Sequence, residues 1–225
     1  MNIGKLINRI VQVSVIKTLY FNFHYLPISQ ALHIPIIIYK RTKLSKIKGE
    51  VLIKSEPKFG LIKIGHYAVG TLDMKYNRTI WQNEGKVIFD GIAHIGSGTK
   101  IGISKGAVLS LGEGFCITGG SSIVCNKEIT FGKQCLLSWD ILIMDTDFHP
   151  IIDAQGRVVN NPKPIRIGDR VWIGCRNTIL KGVSICNDVV IAAGSKIIKD
   201  VTTPYSIIGG IDRQRIIKEG ITWQE

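Results

Sequence analysis

The sequence predicts an all-β solenoid, and a short-range repeat is the main reason. An α-helix repeats about every 3.6 residues and a strand every 2, so a sustained period of six fits neither element alone. It fits short strands separated by tight turns and wound so that every sixth side chain stacks on the last. The 24 glycines and the 45% share of hydrophobic residues favour a turn-rich β protein with a sizeable core. The repeat spans 165–199, with isoleucine at Ile167, Ile173, Ile179, Ile185, Ile191 and Ile197.

The same rhythm extends towards the N-terminus, with changes of phase. Such slips indicate coils of altered length or an insertion. We therefore expect a solenoid over 64–210, preceded by a capping segment over 1–63 and followed by a short tail over 211–225. The earlier members of the repeat are Ile95, Ile101, Leu111, Ile117, Ile123, Ile129, Phe131, Leu137 and Ile143.

The N-terminal segment reads as a cap on the solenoid. Over 5–22, polar residues recur at helical spacing opposite an apolar face, which predicts an amphipathic helix. Such a helix packs on the solenoid or lies on a membrane surface, and the sequence leaves both open. The β-branched run 34–39 predicts an extended entry strand. After irregular first coils from Leu44, residues 71–86 break the rhythm and predict a loop or ragged coil, and the basic tail predicts a short strand and helix.

Positive charge is concentrated in the same N-terminal segment. The chain has a formal net charge of +12, and residues 1–63 hold eleven basic and two acidic side chains, so 11 − 2 gives +9 of the excess. This bias indicates an anionic partner such as a membrane surface or a phosphate-bearing substrate, with a solvated basic face as the plain alternative. Neither interleaved aromatic residues nor a nucleic-acid-binding motif is present, so we expect no nucleic-acid partner.

Cysteine usage indicates a reducing compartment. An odd number without CxxC spacing favours core or turn residues over disulfides or metal ligands. There is no secretory signal, and no apolar run reaches the roughly 18–20 residues that span a bilayer. The predicted location is the cytoplasm, with the inner membrane face left open. The five cysteines are Cys116, Cys125, Cys135, Cys175 and Cys186.

One long interruption carries the chemistry. Residues 144–164 have no six-residue rhythm and contain three prolines and His149. A long polar loop in a compact repeat fold is usually functional. A neutral imidazole suits removal of a hydroxyl proton near pH 7, and Pro150 biases His149 towards an extended backbone. We therefore regard His149 as a candidate general base.

Two motifs together carry a family resemblance. They are the Ile-Gly hexads that end in Ala192-Ala193-Gly194-Ser195, and the His-Pro loop followed by Ile-Gly-Asp-x-Val-Trp-Ile-Gly. Over about 87–210 the chain resembles the hexapeptide-repeat acyltransferases, in the branch of maltose, galactoside and capsular-polysaccharide O-acetyltransferases. The resemblance implies a left-handed parallel β-helix with three hexads per turn, hence five or six coils over 87–200. It also implies a homotrimer with active sites between subunits.

The chemistry that the resemblance implies is acetyl transfer from acetyl-CoA to a sugar hydroxyl, with His149 as general base. The acceptor would be a small-molecule or lipid-linked sugar in capsular or lipopolysaccharide biosynthesis. Peripheral membrane contact through residues 1–63 would fit such an acceptor. No metal is expected.

The resemblance implies roles for further residues, each with a plainer structural alternative. Asp140, with Trp139, falls at an acceptor contact, or is an ordinary turn carboxylate. Asp147, or Asp145 in its place, would fix the imidazole tautomer, or would cap a turn. Trp172 would shape the acetyl-CoA groove or merely pack there, and Cys175 would keep a backbone contact to the cofactor. The remaining cofactor positions are Ala193 and Gly194 on the pantetheine channel and Lys199 and Arg213 near the phosphates.

Other functions remain open at this point. An amino-sugar N-acetyltransferase uses the same cofactor groove, and a catalytically inert scaffold uses the same fold. A γ-type carbonic anhydrase needs three imidazoles for zinc, and the hexads contain only His94. A serine O-acetyltransferase carries a long helical N-terminal domain, and the N-terminal segment of this chain is too short for one, which disfavours that function.

Overall fold

The computed structural model describes residues 12–66, 69–73, 75–211 and 213–223, which form two short helices and 22 strands. The helices are α1 Val15–Tyr25 and α2 Ile28–Ala31. The strands are β1 Ile36–Ile38, β2 Thr42–Ile47, β3 Glu50–Ile53, β4 Ile62–Ile64, β5 Thr79–Asn83, β6 Lys86–Phe89, β7 Ala93–Ile95, β8 Lys100–Ile103, β9 Val108–Leu111, β10 Phe115–Gly119, β11 Ser122–Cys125, β12 Glu128–Phe131, β13 Leu136–Trp139, β14 Leu142–Met144, β15 Ile165–Ile167, β16 Trp172–Ile173, β17 Thr178–Leu180, β18 Ser184–Ile185, β19 Val189–Ile191, β20 Lys196–Ile197, β21 Ser206–Gly209 and β22 Arg215–Glu219.

Strands β1 to β20 enter three parallel sheets in rotation, which makes the chain a solenoid. The first sheet runs β1-β4-β7-β10-β13-β16-β19-β21-β22, the second β2-β5-β8-β11-β14-β17-β20, and the third β18-β15-β12-β9-β6-β3. Because the second sheet receives one strand per coil, its seven strands mark seven coils in the described residues. Five of those strands, β8 to β20, lie within 87–200, as predicted.

The strand register corrects one detail of the predicted repeat. Ile167 pairs with Ile185, and Ile173 pairs with Ile191. Side chains eighteen residues apart therefore stack directly, whereas those six apart lie on adjacent faces of the same coil. All six isoleucines are buried, at no more than 3% exposure, so the repeat fills the interior from three sides.

Strand alternation builds this interior along the whole solenoid. In β10, Phe115 and Ile117 are buried while Cys116 between them is half-buried, because successive side chains point to opposite faces of a strand. Of the two predictions for 71–86, a loop or a ragged coil of the solenoid, the loop is wrong over the second half. Residues 79–83 form β5, and Trp81 is fully buried and pairs with Ile101.

Helix α1 covers the free edge of β1 with side-chain hydrogen bonds. Asn22 accepts from the Ile36 N–H (3.1 Å) and donates to the Ile36 carbonyl (2.7 Å). Thr18 Oγ1 accepts from the Ile38 N–H at 3.0 Å and lies 3.3 Å from the Ile38 carbonyl. Both polar side chains are buried, so this helix satisfies an edge that would otherwise have no partner strand.

The helix prediction is correct in kind but wrong in extent. Residues 5–11 of the predicted helix lie outside the described residues. Val13 forms an antiparallel bridge with Tyr39, and Ser14 donates its N–H to the Ile38 carbonyl, so 13–14 run extended along β1. Helix α1 begins after them and continues to Tyr25.

The C-terminal end closes with a hairpin. Strand β22 pairs antiparallel with β21 and is exposed throughout. The predicted tail strand is therefore present, whereas residues 221–223 are irregular rather than helical. The indole N–H of Trp223 donates to the Arg170 carbonyl at 2.7 Å. In the described part of the chain, no helix is long and apolar enough to cross a membrane.

Candidate active site

The predicted loop leaves the solenoid after β14 and returns at β15, at the corner between the second and third sheets. Its first residue, Asp145, is fully buried. The Asp145 carboxylate accepts backbone N–H bonds from Asn126 (2.7 Å), Lys127 (2.8 Å) and Glu128 (2.8 Å) in the preceding coil. Asp145 therefore caps a turn, the plainer of its two predicted roles, and fixes the loop to the coil beneath it.

A lysine from the next coil clamps both arms of the loop. Lys181 donates to the Asp147 carboxylate and to the Asn160 carbonyl (2.8 Å). Asn160 in turn donates to Asp147 (2.9 Å) and to the His149 carbonyl (2.9 Å). The hydrogen bond from Lys181, followed by that from Asn160, holds the pKa of the Asp147 carboxyl below its usual value.

This clamp corrects the role predicted for Asp147. Its carboxylate contacts Lys181 and Asn160, and no hydrogen bond joins it to the His149 imidazole in the described part of the chain. Asp147 positions the loop rather than the imidazole tautomer. Sequence reasoning missed Lys181 and Asn160, because contacts 34 and 13 residues distant from Asp147 leave no local signal.

His149 is exposed, and the residue before it has an unusual backbone. Phe148 has φ of 61°, in the left-handed region that bulky side chains rarely adopt, and its N–H donates to Thr146 Oγ1 at 2.9 Å. Its ring is 64% exposed, so hydrophobic burial does not explain the conformation. Strained residues of this kind cluster at functional sites, which makes the Phe148–His149 step a candidate.

The Phe148 ring borders a groove on the outer face of the second sheet. The groove has a volume of about 270 Å³. Its floor includes small residues, and a Cβ added at Gly102 would meet no atom within 4 Å. The polar side chains Gln82, Lys100 and Ser122 lie in the same lining. The groove can therefore hold a polar ligand beside the loop that carries His149.

A second group of predicted residues meets at the corner between the first and second sheets. The Arg176 N–H donates to the Trp139 carbonyl (3.0 Å), and the Gly194 N–H donates to the Cys175 carbonyl (2.9 Å). Trp139, Cys175 and Gly194 thus lie in successive coils at one corner. Ala193 and Gly194 are exposed, and a Cβ at Gly194 would meet nothing within 4 Å. This corner is open and can accept a slender ligand.

Asp140 is the turn residue of its coil at that corner. It has φ of 56°, and Arg176 and Gly194 occupy the corresponding left-handed positions in the next two coils, at 56° and 71°. Aspartate tolerates this conformation better than most residues. An ordinary turn carboxylate would adopt this backbone, as the plainer alternative expects. The Asp140 side chain is exposed, so it is also available to a ligand.

Trp172 lies on the outer face of the first sheet. Its indole N–H donates to Ser138 Oγ at 3.3 Å, and its ring lies 6.2 Å from the Trp223 ring. The C-terminal segment therefore packs beside Trp172. This neighbour was not anticipated, since Trp223 follows Trp172 by 51 positions and belongs to no repeat.

Lys199 and Arg213 lie together at the C-terminal end of the solenoid. Gln214, next to Arg213, accepts from the Lys199 N–H (3.2 Å) and donates to its carbonyl (3.1 Å). Both basic side chains are exposed and make no ion pair with any residue that the structure describes. The Arg213 main chain lies beside Gly210, whose carbonyl accepts from the Lys196 N–H where β20 begins, so Arg213 is near the open corner. Lys199 follows β20 as Lys181 follows β17, which places it at the edge of the second sheet that carries the loop.

The two groups of residues lie on different edges of one chain. The first corner ends at Asp140 and the loop begins at Asp145, so an outer strand separates them by roughly 15 Å. Within a single subunit, the described structure brings Trp139, Cys175, Ala193 and Gly194 together and keeps His149 and Asp147 apart from them.

The cysteines fill the core and the turns as free thiols. Burial, and then the charge of Asp145, raises the pKa of the Cys125 thiol, and burial raises the pKa of Cys135 to about 12.

His66 and His94 have ring centroids 5.9 Å apart. Among the described residues, no three His, Cys, Asp or Glu side chains form a group that could hold a metal ion.

Comparison with known proteins agrees with the repeat. Residues 164–199 match the family described as "Bacterial transferase hexapeptide (six repeats)". The polysialic acid O-acetyltransferase of Escherichia coli O1:K1 / APEC is 34% identical over 122 residues, which cover 53% of this chain and 39% of that protein. The galactoside O-acetyltransferase of Escherichia coli (strain K12) is 30% identical over 119 residues, which cover 52% of this chain and 56% of that protein. The matched stretches thus span little more than half of these relatives at most.

A solved structure shows the same fold. The polySia-specific acetyltransferase NeuO aligns with a TM-score of 0.52 and 23% identity, over 82% of this chain and 72% of that chain. The predicted fold class, a left-handed parallel β-helix, is confirmed. The resemblance to the hexapeptide-repeat acyltransferases is likewise confirmed, since residues 164–199 match the hexapeptide model and O-acetyltransferases are among the relatives.

Proposed function

We propose that this protein is an O-acetyltransferase that moves an acetyl group from acetyl-CoA to a sugar hydroxyl. One observation carries the proposal. A loop fixed at both arms by Lys181 presents the exposed His149 imidazole beside a groove, in a fold shared with acetyltransferases, and no residue that the structure describes bonds that imidazole. Sugar O-acetyltransferases are among the relatives.

His149 acts as the general base in this proposal. Its neutral imidazole takes the proton of the acceptor hydroxyl as that oxygen attacks the carbonyl carbon of the thioester. The carbon–sulfur bond then breaks, and the imidazolium returns the proton to the leaving thiolate. An ester and free CoA result, with no change in oxidation state. The Lys181 clamp supports this role because acyl transfer requires the reacting groups to be held in position.

The open corner fits the acetyl-CoA co-substrate. The exposed, small Ala193 and Gly194 leave room for a pantetheine chain, which a larger side chain would block. Cys175 then offers main-chain contacts, and Trp172 flanks the groove. Lys199 and Arg213 are available to bind the phosphates.

We place the acceptor in the groove beside Phe148, within reach of the loop that carries His149. Gln82 and Ser122 offer hydrogen bonds to hydroxyls, and Lys100 makes no ion pair with the described residues, so it favours an anionic sugar. A polysialic acid O-acetyltransferase among the relatives agrees with an acidic acceptor. Trp139 and Asp140 would contact the acceptor from the facing corner. We infer an acceptor in capsular or lipopolysaccharide biosynthesis, lipid-linked or free, and a cytoplasmic enzyme.

A homotrimer would complete the site. The reacting atoms must lie about 3–3.5 Å apart, whereas His149 and the Gly194 corner occupy different edges of one chain. A neighbouring subunit that presents its loop to this corner would bring both halves together. Light scattering of the purified chain tests this directly, and a monomer at full activity would contradict it.

The activity is tested by following CoA release chromatographically from acetyl-CoA. Oligosialic acid, a galactoside and glucosamine serve as acceptors. We expect ester formation on a sugar, and a loss of about 10²–10⁴-fold in turnover for His149→Ala. His33→Ala is the matched control, since His33 is also an exposed histidine but lies at the other end of the chain. Full activity of His149→Ala would overturn the base assignment. Transfer only to the glucosamine amine would indicate an N-acetyltransferase, and no transfer or CoA binding would indicate a scaffold.

A further inference from the structure

Helix α1 is apolar on both of its faces. Phe21, between Thr18 and Asn22, packs against the solenoid. On the opposite side, Ile16, Leu19, Tyr20 and Phe23 recur at i, i+3, i+4 and i+7. A helix that caps a soluble fold normally presents polar residues to water on that second face.

This outward face continues onto α2 and its end. Large, strongly exposed apolar patches on a protein usually mark an interaction site. We call these residues the α1–α2 face. Its members and their exposures are Val15 66%, Ile16 83%, Leu19 40%, Tyr20 53%, Phe23 50%, Ile28 71% and Leu32 66%.

The chain segment that carries the α1–α2 face is rich in basic residues. The first acidic residue of the chain is Glu50, while residues 1–49 contain eight lysines and arginines. Lys40, Lys43 and Lys48 are exposed and make no ion pair with the described residues. An apolar patch with a rim of one charge sign requires an anionic counterpart.

We propose that the α1–α2 face is a docking surface for an anionic lipid bilayer. The apolar side chains, Phe23 among them, enter the acyl boundary, Tyr20 lies at headgroup depth, and the lysines contact lipid phosphates. A two-fold contact with a second copy of this chain fits less well, because it would bring the same lysines of both subunits together. The inference goes beyond the proposed enzymatic function and does not depend on it.

Vesicle sedimentation tests the proposal without any acetyl transfer. The full chain is mixed with vesicles of phosphatidylcholine alone and of phosphatidylcholine with phosphatidylglycerol. We expect binding to the anionic vesicles that weakens as salt rises. The double variant Ile16→Ser/Phe23→Ser should bind them more than about tenfold more weakly, because two large apolar side chains no longer leave water. Both residues are exposed, so the variant should fold normally.

Matched variants separate the contributions. Leu52→Ser/Ile198→Ser removes two apolar side chains that are exposed elsewhere, at 44% and 52%, and should leave binding unchanged. Lys40→Gln/Lys43→Gln should weaken binding to anionic vesicles only. Absence of vesicle binding, or equal binding by wild type and the Ile16/Phe23 variant, would overturn the proposal. A change of oligomeric state in that variant without vesicle binding would assign the face to a protein contact instead.

Discussion

The polar cap on β1 predicts that Asn22→Ala destabilises the protein strongly. The Asn22 amide group is fully buried and bonds both main-chain groups of Ile36, which is itself fully buried. Alanine removes both partners at once, and each unsatisfied buried group costs about 1–3 kcal/mol. Local adjustment of α1 would recover part of this loss. We therefore expect the free energy of unfolding to fall by about 3 kcal/mol.

Thermal unfolding measures this change. For a domain of about this size, 1 kcal/mol shifts Tm by about 2–4 °C, so Asn22→Ala should lower Tm by about 6–12 °C. Hydrogen exchange at the Ile36 and Ile38 amides should also accelerate, since their cap opens first. Ile16→Ala, on the same helix but 83% exposed, is the control and should stay within about 0.5 kcal/mol of wild type. An unchanged Tm together with unchanged exchange at Ile36 would refute the capping argument.

Three further predictions concern the loop, the open corner and the thiols. Lys181→Met should reduce kcat by about tenfold with little change in Tm and should speed proteolysis within 150–160, because it releases the loop. In wild type this clamp should hold at neutral pH and weaken only in acid, as the pH falls through the lowered pKa of Asp147. Gly194→Val should raise KM for acetyl-CoA by at least about tenfold, because its side chain enters the open corner. Gly194→Asn is the companion variant: asparagine tolerates the φ of 71° at this position, so it should disturb the fold less than valine does. Iodoacetamide at mildly alkaline pH should leave Cys125 and Cys135 unmodified in mass spectra until the protein unfolds, because burial raises both pKa values.

The solenoid could be predicted because its signal is local and repeated. Each isoleucine six residues beyond the last needs only a short strand and a turn, which one hexad contains. Strand β5 escaped prediction because Thr79 and Asn83 occupy its inward positions beside Trp81. Both are buried polar residues that bond main-chain groups at the corners. Buried and half-buried side chains therefore alternate along β5, but apolar and polar residue types do not. A pattern based on apolar residues cannot detect this.

The loop was predictable in its position but not in its contacts. The loop could be found because the rhythm stops there, and His149 because of its chemistry. The partners of Asp147 could not be found, since Lys181 reaches it only when two successive coils stack. The contacts of Asp145 could not be predicted for the same reason, because its three N–H donors come from a coil that lies about twenty residues earlier. Long-range polar contacts follow from the stacked register, which a single sequence does not specify.

Structural polar residues can be separated from candidate functional ones by whether their side chains are buried and hydrogen-bonded to the main chain. Asn22, Asp145 and Asn177 are buried, and each bonds main-chain groups that the fold would otherwise leave unpaired. His149 is bonded only through its main chain, and Phe148 adopts a strained backbone with its ring in water. Both side chains are exposed, yet the Lys181 clamp fixes the loop that holds them. A loop that is held in place while its His149 and Phe148 side chains remain exposed supports the proposal that this loop acts on a ligand.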